Sequence, residues 1–441
     1  MTMLFNDTTA AIAKAIFDGH ISQVTQARKQ DAAKRLDYYH DGQLEHLKTM
    51  LEQRFAQPEK LTPLFINVVK KVVDLRAMVY TEEPKRQIDG TDADKALFAE
   101  IVEDAALSTR MKQASRLVKL LKTAMVRPVW RNGRLDLDLL TGDILDVQVG
   151  DSPEDITAIC VSHFPEAGRT EEMTYSVWTP TTWERLDYRG RHLDGGPNPY
   201  APVLPFVALH DRAPTDSFWL PGGDDLIVAQ EAINNMLVGL LQTVDAQGYG
   251  LGFVRGAGSG GGQLQAGPGS LIELPEGGEV GFAAPQAPIE EVTGAIDRII
   301  KWLAVSNGLP AASLSTDPTE ESGVSKIVGN RELEELRRDD VSLWRTYEKR
   351  LFQVIRQVWN HHNPTRKLSE AATLAVDFAD PKPAVSSLDQ AKEWELLIGL
   401  GLMSPVDAAM ERNPDLSTRE DALAFLLTVQ QERAALTEKV I

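Results

Sequence analysis

The chain has 441 residues, 43% of them hydrophobic, and a formal net charge of −18. That length accommodates roughly two to four compact units at about 150 residues each, and the apolar content excludes global disorder. The acidity argues against the tight phosphate binding of basic DNA-binding domains, though not against loose containment of DNA.

The single cysteine, Cys160, sits among Ala158, Ile159 and Val161. It excludes an internal disulfide framework, fits a reducing cytoplasm and reads as a small buried apolar residue. The opening Met1-Thr2-Met3-Leu4-Phe5-Asn6-Asp7 has neither the basic nor the apolar region of a signal peptide. No run approaches the ~20 apolar residues of a membrane helix. The expectation is a soluble protein, unexported when made, with no membrane partner.

Residues 32–55 carry Leu36, Tyr39, Leu44, Leu47 and Leu51 at spacings that suit one helix face. A second helix can begin at Pro63, with Phe65, Val68, Val69, Val72, Val73 and Leu75 on its apolar side, and Pro84 ends it. A third helical stretch covers residues 93–123.

From 124 to 210 the pattern changes to short β-branched and aromatic runs between turns such as Asn132-Gly133 and Gly195-Gly196-Pro197. Strands are expected around residues 126–130, 144–149, 156–164 and 173–178. A β-rich insert between helical segments makes the fold class α+β.

Helix returns over residues 226–244, with Asp224 and Asp225 at its start suiting the macrodipole. Short strands around a glycine-rich stretch fill residues 248–288, and helix resumes over 289–306. A loop with Pro310 and Pro318 leads into the longest helical pattern, residues 323–360, which would span about 55 Å unless it kinks. Residues 373–378 read as a strand. Helices at 387–400, 404–411 and 417–437 close the chain, with start signals at Ser404 (Asp407 three residues on) and Ser417 (Glu420 three residues on).

Few residues suggest chemistry. Gly256-Ala257-Gly258-Ser259-Gly260-Gly261 matches G-x-G-x-x-G, but the glycines and proline that follow cannot propagate the helix a dinucleotide site needs, so it reads as a loop tip. His361-His362 lacks the separation of three or four that helical metal ligands prefer, and reads as cationic residues at a helix C-terminus. No nucleophile elbow, zinc-protease motif or Cys–His arrangement stands out. The expectation is no catalysis, no cofactor and no metal.

Charge is more informative. Between 223 and 288 the acids are Asp224, Asp225, Glu231, Asp245, Glu273, Glu276 and Glu279 against the lone base Arg255, a net −6. One account is a solvated face; the other is an acidic lining that keeps DNA from sticking to a conduit.

This order of elements resembles that of tailed-bacteriophage portal proteins over about residues 36–436. Five stretches carry the resemblance. The first is Tyr38-Tyr39-His40-Asp41-Gly42 with Asn67-Val68-Val69-Lys70-Lys71-Val72-Val73-Asp74. The second is Ala229-Gln230-Glu231-Ala232-Ile233-Asn234-Asn235-Met236. The third joins Gly308-Leu309-Pro310 to Glu321-Ser322-Gly323-Val324-Ser325-Lys326. The fourth is Val376-Asp377-Phe378-Ala379-Asp380-Pro381-Lys382-Pro383. The last is Gly399-Leu400-Gly401-Leu402-Met403-Ser404-Pro405 with Asn413-Pro414-Asp415-Leu416.

The resemblance implies an α+β portal fold with a wing at 1–222, a first stem helix at 223–247, a clip at 248–288 and a second stem helix at 289–306. A tunnel loop at 307–322, a long kinked helix with its return to the wing at 323–385 and a helical crown at 386–441 complete it. It also implies a homo-oligomer, twelve copies if the family is followed, that forms a channel for double-stranded DNA at one capsid vertex. The protein would reside in the virion, and in the host cytoplasm during assembly. Implied partners are the terminase large subunit, a head-tail adaptor or connector protein, and the major capsid and scaffold proteins.

By the same resemblance, Ser315, Thr316, Asp317, Thr319 and Glu320 would face DNA in the tunnel loop without a base to hold it. Arg255, Gln263, Gln265, Glu273, Glu276 and Glu279 would dock partners in the clip. The rival readings are a virion or scaffold component with no DNA channel, and a hydrolase using paired carboxylates.

Overall fold

The computed structural model describes residues 23–165, 170–249, 251–255, 279–283, 289–314, 323–378, 387–413, 416 and 418–439. The chain divides into a larger unit, Met1–Thr319 with Asn330–Asp380, and a smaller one, Glu320–Gly329 with Pro381–Ile441.

The larger unit opens with helices α1 (Gln23–Tyr39), α2 (Leu44–Arg54) and α3 (Val68–Arg76). The single helix expected over 32–55 is two. Asp41 takes a left-handed φ of 65° and Gly42 follows it, so the chain turns before Leu44. Strand β1 (Lys85–Asp89) comes next, then α4 (Asp92–Asp104) and α5 (Leu107–Leu121). The third helical stretch is divided too, at Ala106, with φ 47°. The Thr91–Asp94 capping box starts α4 by satisfying two of its orphan backbone donors.

Eight strands follow: β2 (Thr123–Arg131), β3 (Arg134–Thr141), β4 (Leu145–Val149), β5 (Ile156–His163), β6 (Thr174–Trp178), β7 (Thr182–Asp187), β8 (His192–Pro197) and β9 (Val207–His210). They form a three-stranded sheet in the order β3-β2-β9 and a five-stranded meander in the order β4-β5-β6-β7-β8. All the pairings are antiparallel. The class is therefore mixed helix and antiparallel sheet, as expected. Cys160 is buried, and burial pushes its thiol up to about 12.

Helices α6 (Asp224–Tyr249) and α7 (Ile289–Ser306) bracket the paired strands β10 (Leu251–Arg255) and β11 (Glu279–Ala283). Helix α8 runs from Gly323 to His362, 40 residues, and β12 (Thr373–Asp377) pairs with β1. The main core lies where α4, α5, the two sheets and the C-terminal part of α8 meet, around Met111, Met125, Leu137, Trp344 and Ile355. Beneath it, Arg86 grips Glu348 through two nitrogens, at 3.0 and 2.7 Å, and Tyr80 donates to the same carboxylate at 2.7 Å. That pair is almost fully buried, and its hydrogen bonds offset a desolvation cost that an unpaired charge would not recover.

At the end of α8, His362 is packed against aromatic rings rather than left free to act as a cationic cap. The His362 ring stacks on Trp130 with an interplanar angle of 5°, and its Nε2 hydrogen-bonds the Tyr200 hydroxyl at 3.0 Å. Burial, then the neighbouring His361, lowers its pKa and favours the neutral ring.

The smaller unit holds α9 (Ser387–Gly399), α10 (Pro405–Arg412) and α11 (Arg419–Lys439). Ser404 and Asp407 form the expected capping box. At α11 the cap is Thr418 with Asp421, one residue beyond the expected pair, and Ser417 lies outside the described residues. Among the described residues no helix is long and apolar enough to cross a membrane.

Candidate functional site

The segment that the sequence singles out runs from α6 through the strand pair to α7 and the turn beyond it. Its base is fixed by apolar packing and by a buried polar network. Leu226, Ile227 and Ile233 of α6 and Ile296, Leu303 and Ala304 of α7 share one core with Tyr38, Tyr39 and the valines of α3. Within that core, Gln230 Oε1 accepts from the backbone N–H of Val68 and Val69 at 2.8 and 3.2 Å, which satisfies the open N-terminus of α3. Gln230 Nε2 donates to the Ile66 carbonyl at 2.7 Å and to Asn234 Oδ1 at 2.8 Å. Asn234 in turn donates to Gln43 Oε1 at 2.8 Å. Gln230 and Asn234 thereby tie α6 to α3 and to the turn before α2, although Gln43 Nε2 is left buried without a partner.

Where α7 ends, Gly308 adopts φ +67°, and Leu309 N–H reaches the Ala304 carbonyl at 2.9 Å in a Schellman turn. A Cβ at Gly308 would run into the Leu336 side chain of α8, so the position admits only glycine without displacement. Beside it lies a cavity of about 280 Å³ touched by Arg76, Lys119, Lys122, Gly308 and Glu332. Lys119 donates to Asp211 at 2.6 Å and to Asp340 at 2.8 Å, and Lys122 reaches Asp211 at 3.1 Å. Burial opposes the charged form of both carboxylates. Lys119 and Lys122 overcome it at Asp211, whose pKa is lowered, whereas burial prevails at Asp340, whose pKa is raised. Lysine thus pairs with both carboxylates, and the arrangement ties α5 to the end of β9 and to α8.

The acidic stretch is partly neutralised at its base. Asp224 pairs with Arg35, and Glu231 pairs with Lys34 at 2.6 Å. Further along, α7 exposes Trp302 (64%) and Val305 (57%), and α6 exposes Val228 (62%).

Backbone register sets Arg255 of β10 opposite Glu279 of β11, bringing two of the expected clip residues together. The other four, Gln263, Gln265, Glu273 and Glu276, lie outside the described residues, as do the loop residues Ser315, Thr316, Asp317, Thr319 and Glu320 and the G-x-G-x-x-G match. Among the described residues no group of histidine, cysteine, aspartate and glutamate is placed to hold a metal ion.

No family model matches the chain, and no curated protein does. Solved structures do. The chain is similar to a phage portal protein of the HK97 family from Corynebacterium diphtheriae, with 13% identity over 73% of this chain and 99% of that one, and a TM-score of 0.33. It is also similar to a chain in the neck of an empty gene transfer agent particle computed with C6 symmetry, at 13% identity, 77% and 88% coverage and a TM-score of 0.45. A chain in the native gene transfer agent virion matches at 12% identity, 76% and 87% coverage and a TM-score of 0.41.

Proposed function

We propose that this chain is the subunit of a phage portal, a ring-shaped channel at one capsid vertex through which DNA is packaged and ejected. The observation that carries the reading is the element order: a helix locked at its base, a strand pair, a second helix, a glycine-fixed turn and a 40-residue helix. In this reading α6 and α7 are the stem, β10 and β11 belong to the clip, and residues 307–322 form the tunnel loop that brushes DNA. Residues 386–441 are the crown. Terminase docks at the clip during packaging, and a head-tail adaptor docks there afterwards. The major capsid and scaffold proteins surround the ring in the virion.

Exposed Trp302 and Val305 support an assembly, because an indole so open to solvent gains by burial against another chain. The excess of acid supports a channel that contains DNA without gripping it. Chemistry plays no part in this reading, and ATP hydrolysis belongs to the terminase.

Native mass spectrometry and negative-stain microscopy of the purified chain test it. The expected result is an annular particle of about twelve copies with a hole wide enough for duplex DNA. A chain that stays monomeric across salt and concentration would sink the proposal, and a closed assembly with no hole would favour a virion component without a channel.

A further inference from the structure

Among the described residues, strand β1 has one neighbour. It pairs with β12 along one edge, and no ladder covers the other. An antiparallel strand turns alternate N–H and C=O groups to each side, so half of those in residues 85–89 face away from β12. No described residue bonds them from outside the ladder. Such an edge is a template for a further strand.

Beside that edge the protein leaves room. A cavity of about 600 Å³ is touched by Arg86, Gln87 and Ile88 in succession. Consecutive strand side chains point to opposite faces, so a space that meets all three runs along the edge itself. The far wall is α4, which contributes Lys95, Phe98, Ala99 and Val102, the i, i+3, i+4 and i+7 positions of one helix stripe. Both walls are held from behind. Phe98 is buried edge-on against Phe352, with ring centres 5.1 Å apart, and Glu348 grips Arg86. Ala99 is exposed and short, and it leaves the stripe open at its middle.

The rim is acidic. Glu83 touches the cavity, and Glu82, Asp89, Glu103 and Asp104 flank its lining residues in sequence. The last four are exposed, and none forms a side-chain hydrogen bond or ion pair with another described residue. Glu100 is matched by Arg366 at 2.6 Å. Of the cations in β1 and α4, Lys95 is paired with Asp92 at 3.2 Å and Arg86 with Glu348, which leaves Lys85 to set against the rim carboxylates.

We propose that this groove takes an extended, basic segment of another protein, which adds to β1 as a third strand and sets its lysine or arginine side chains against the acidic rim. Main-chain hydrogen bonds to β1 supply affinity, and the α4 stripe receives alternate apolar side chains. The fixed walls mean that little ordering is needed on binding. A second copy of the chain, at net −18, is the poorer electrostatic match. The groove lies outside the segment from α6 to the turn beyond α7, so its occupant is independent of the portal reading.

Binding of capped octapeptides to the purified full chain tests it. The peptides alternate valine with lysine, with threonine or with glutamate, and are followed by fluorescence anisotropy and by hydrogen exchange of residues 85–89. The lysine peptide is expected to bind saturably and to slow exchange in β1, with the glutamate peptide at least about tenfold weaker. Raising the salt should narrow that gap. Methylating alternate backbone nitrogens of the lysine peptide should abolish binding in one of the two phases, the one whose donors face β1. Ala99→Arg, at an exposed position, is expected to block the groove with the melting temperature unchanged. Glu103→Lys with Asp104→Lys should shift the preference toward the glutamate peptide.

Failure of all three peptides to bind overturns the proposal. So does binding that survives Ala99→Arg, or that shows no preference for lysine over glutamate. Protection of β1 that rises with the concentration of the chain alone would assign the edge to a second copy and overturn the basic partner.

Discussion

In the larger unit Trp344, Ile355, Met111 and Leu137 are all but sealed from solvent, and even the charged pair Arg86–Glu348 is enclosed. In the smaller unit Ala409 and Ala422 are the buried hydrophobic residues among those described, while Leu396, Leu400, Leu402, Leu423, Phe425, Leu427 and Val429 stand exposed. The first region holds itself together by apolar burial, worth roughly 25 cal/mol per Å². The second relies on local devices: the Ser404 cap, the Arg419–Asp407 pair at 2.8 Å and the Trp394–Glu411 hydrogen bond at 3.1 Å. On α11, Leu423 and Leu427 share one flank, and Phe425 and Val429 share another about 200° around the helix. A helix that is apolar on both flanks leaves surface for partners on two sides, as the proposed ring would require.

Substitutions can break or sharpen that contrast. The largest effect is expected from Glu348→Ala, which strands Arg86 in the core and should cost about 3–5 kcal/mol in urea unfolding followed by tryptophan fluorescence. A loss below about 1 kcal/mol would show that the larger unit does not depend on its interior pair. Gln230→Ala comes next. It leaves two backbone donors of α3 and the Ile66 carbonyl unmatched, and about 1–3 kcal/mol is expected in the same measurement.

Asp94→Asn should remove about 1 kcal/mol at neutral pH, because Asp94 caps α4 and also accepts from Ser369 N–H at 2.7 Å. Those hydrogen bonds hold its carboxyl below the usual carboxylate range. The contribution is therefore complete above the ordinary carboxylate pKa and disappears as pH falls through the lowered one. Acid-unfolding curves of the two proteins should converge at the acid end; a constant gap would contradict the assignment. The smallest effect belongs to the other region. Leu423→Ser with Leu427→Ser should change monomer stability by less than about 0.5 kcal/mol while lowering the assembled fraction by native mass spectrometry. A large loss in the monomer would mean that the two leucines are internal to the unit.

Helix positions were largely legible because a 3.6-residue apolar period survives in a single sequence. The bounds of α7 match the expected range, and those of α8 extend it by two residues. What escaped was decided by partners far along the chain. Strand β1 buries one residue, Ile88, so it has no alternation to read; it forms because β12, with Leu374 and Val376 turned inward, supplies the other half of the ladder. Strand β8, with two glycines and a proline, has poor strand propensity and exists as the edge of the meander beside β7. Gln230 and Asn234 stood within a run singled out by resemblance. Their role rests on Val68, Val69 and Gln43, more than 160 residues upstream of the residues they contact.

The buried thiol of Cys160 makes the protein a convenient object for chemical mapping. It is the chain's one cysteine, and a pKa near 12 keeps it protonated and unreactive toward maleimides at neutral pH. A cysteine placed at Val228, Trp302 or Leu423, all exposed, would then be the single labelling position without any need to clear the background. Cross-linkers of graded length between such positions would test for the neighbouring copies that the proposed ring requires, one surface at a time.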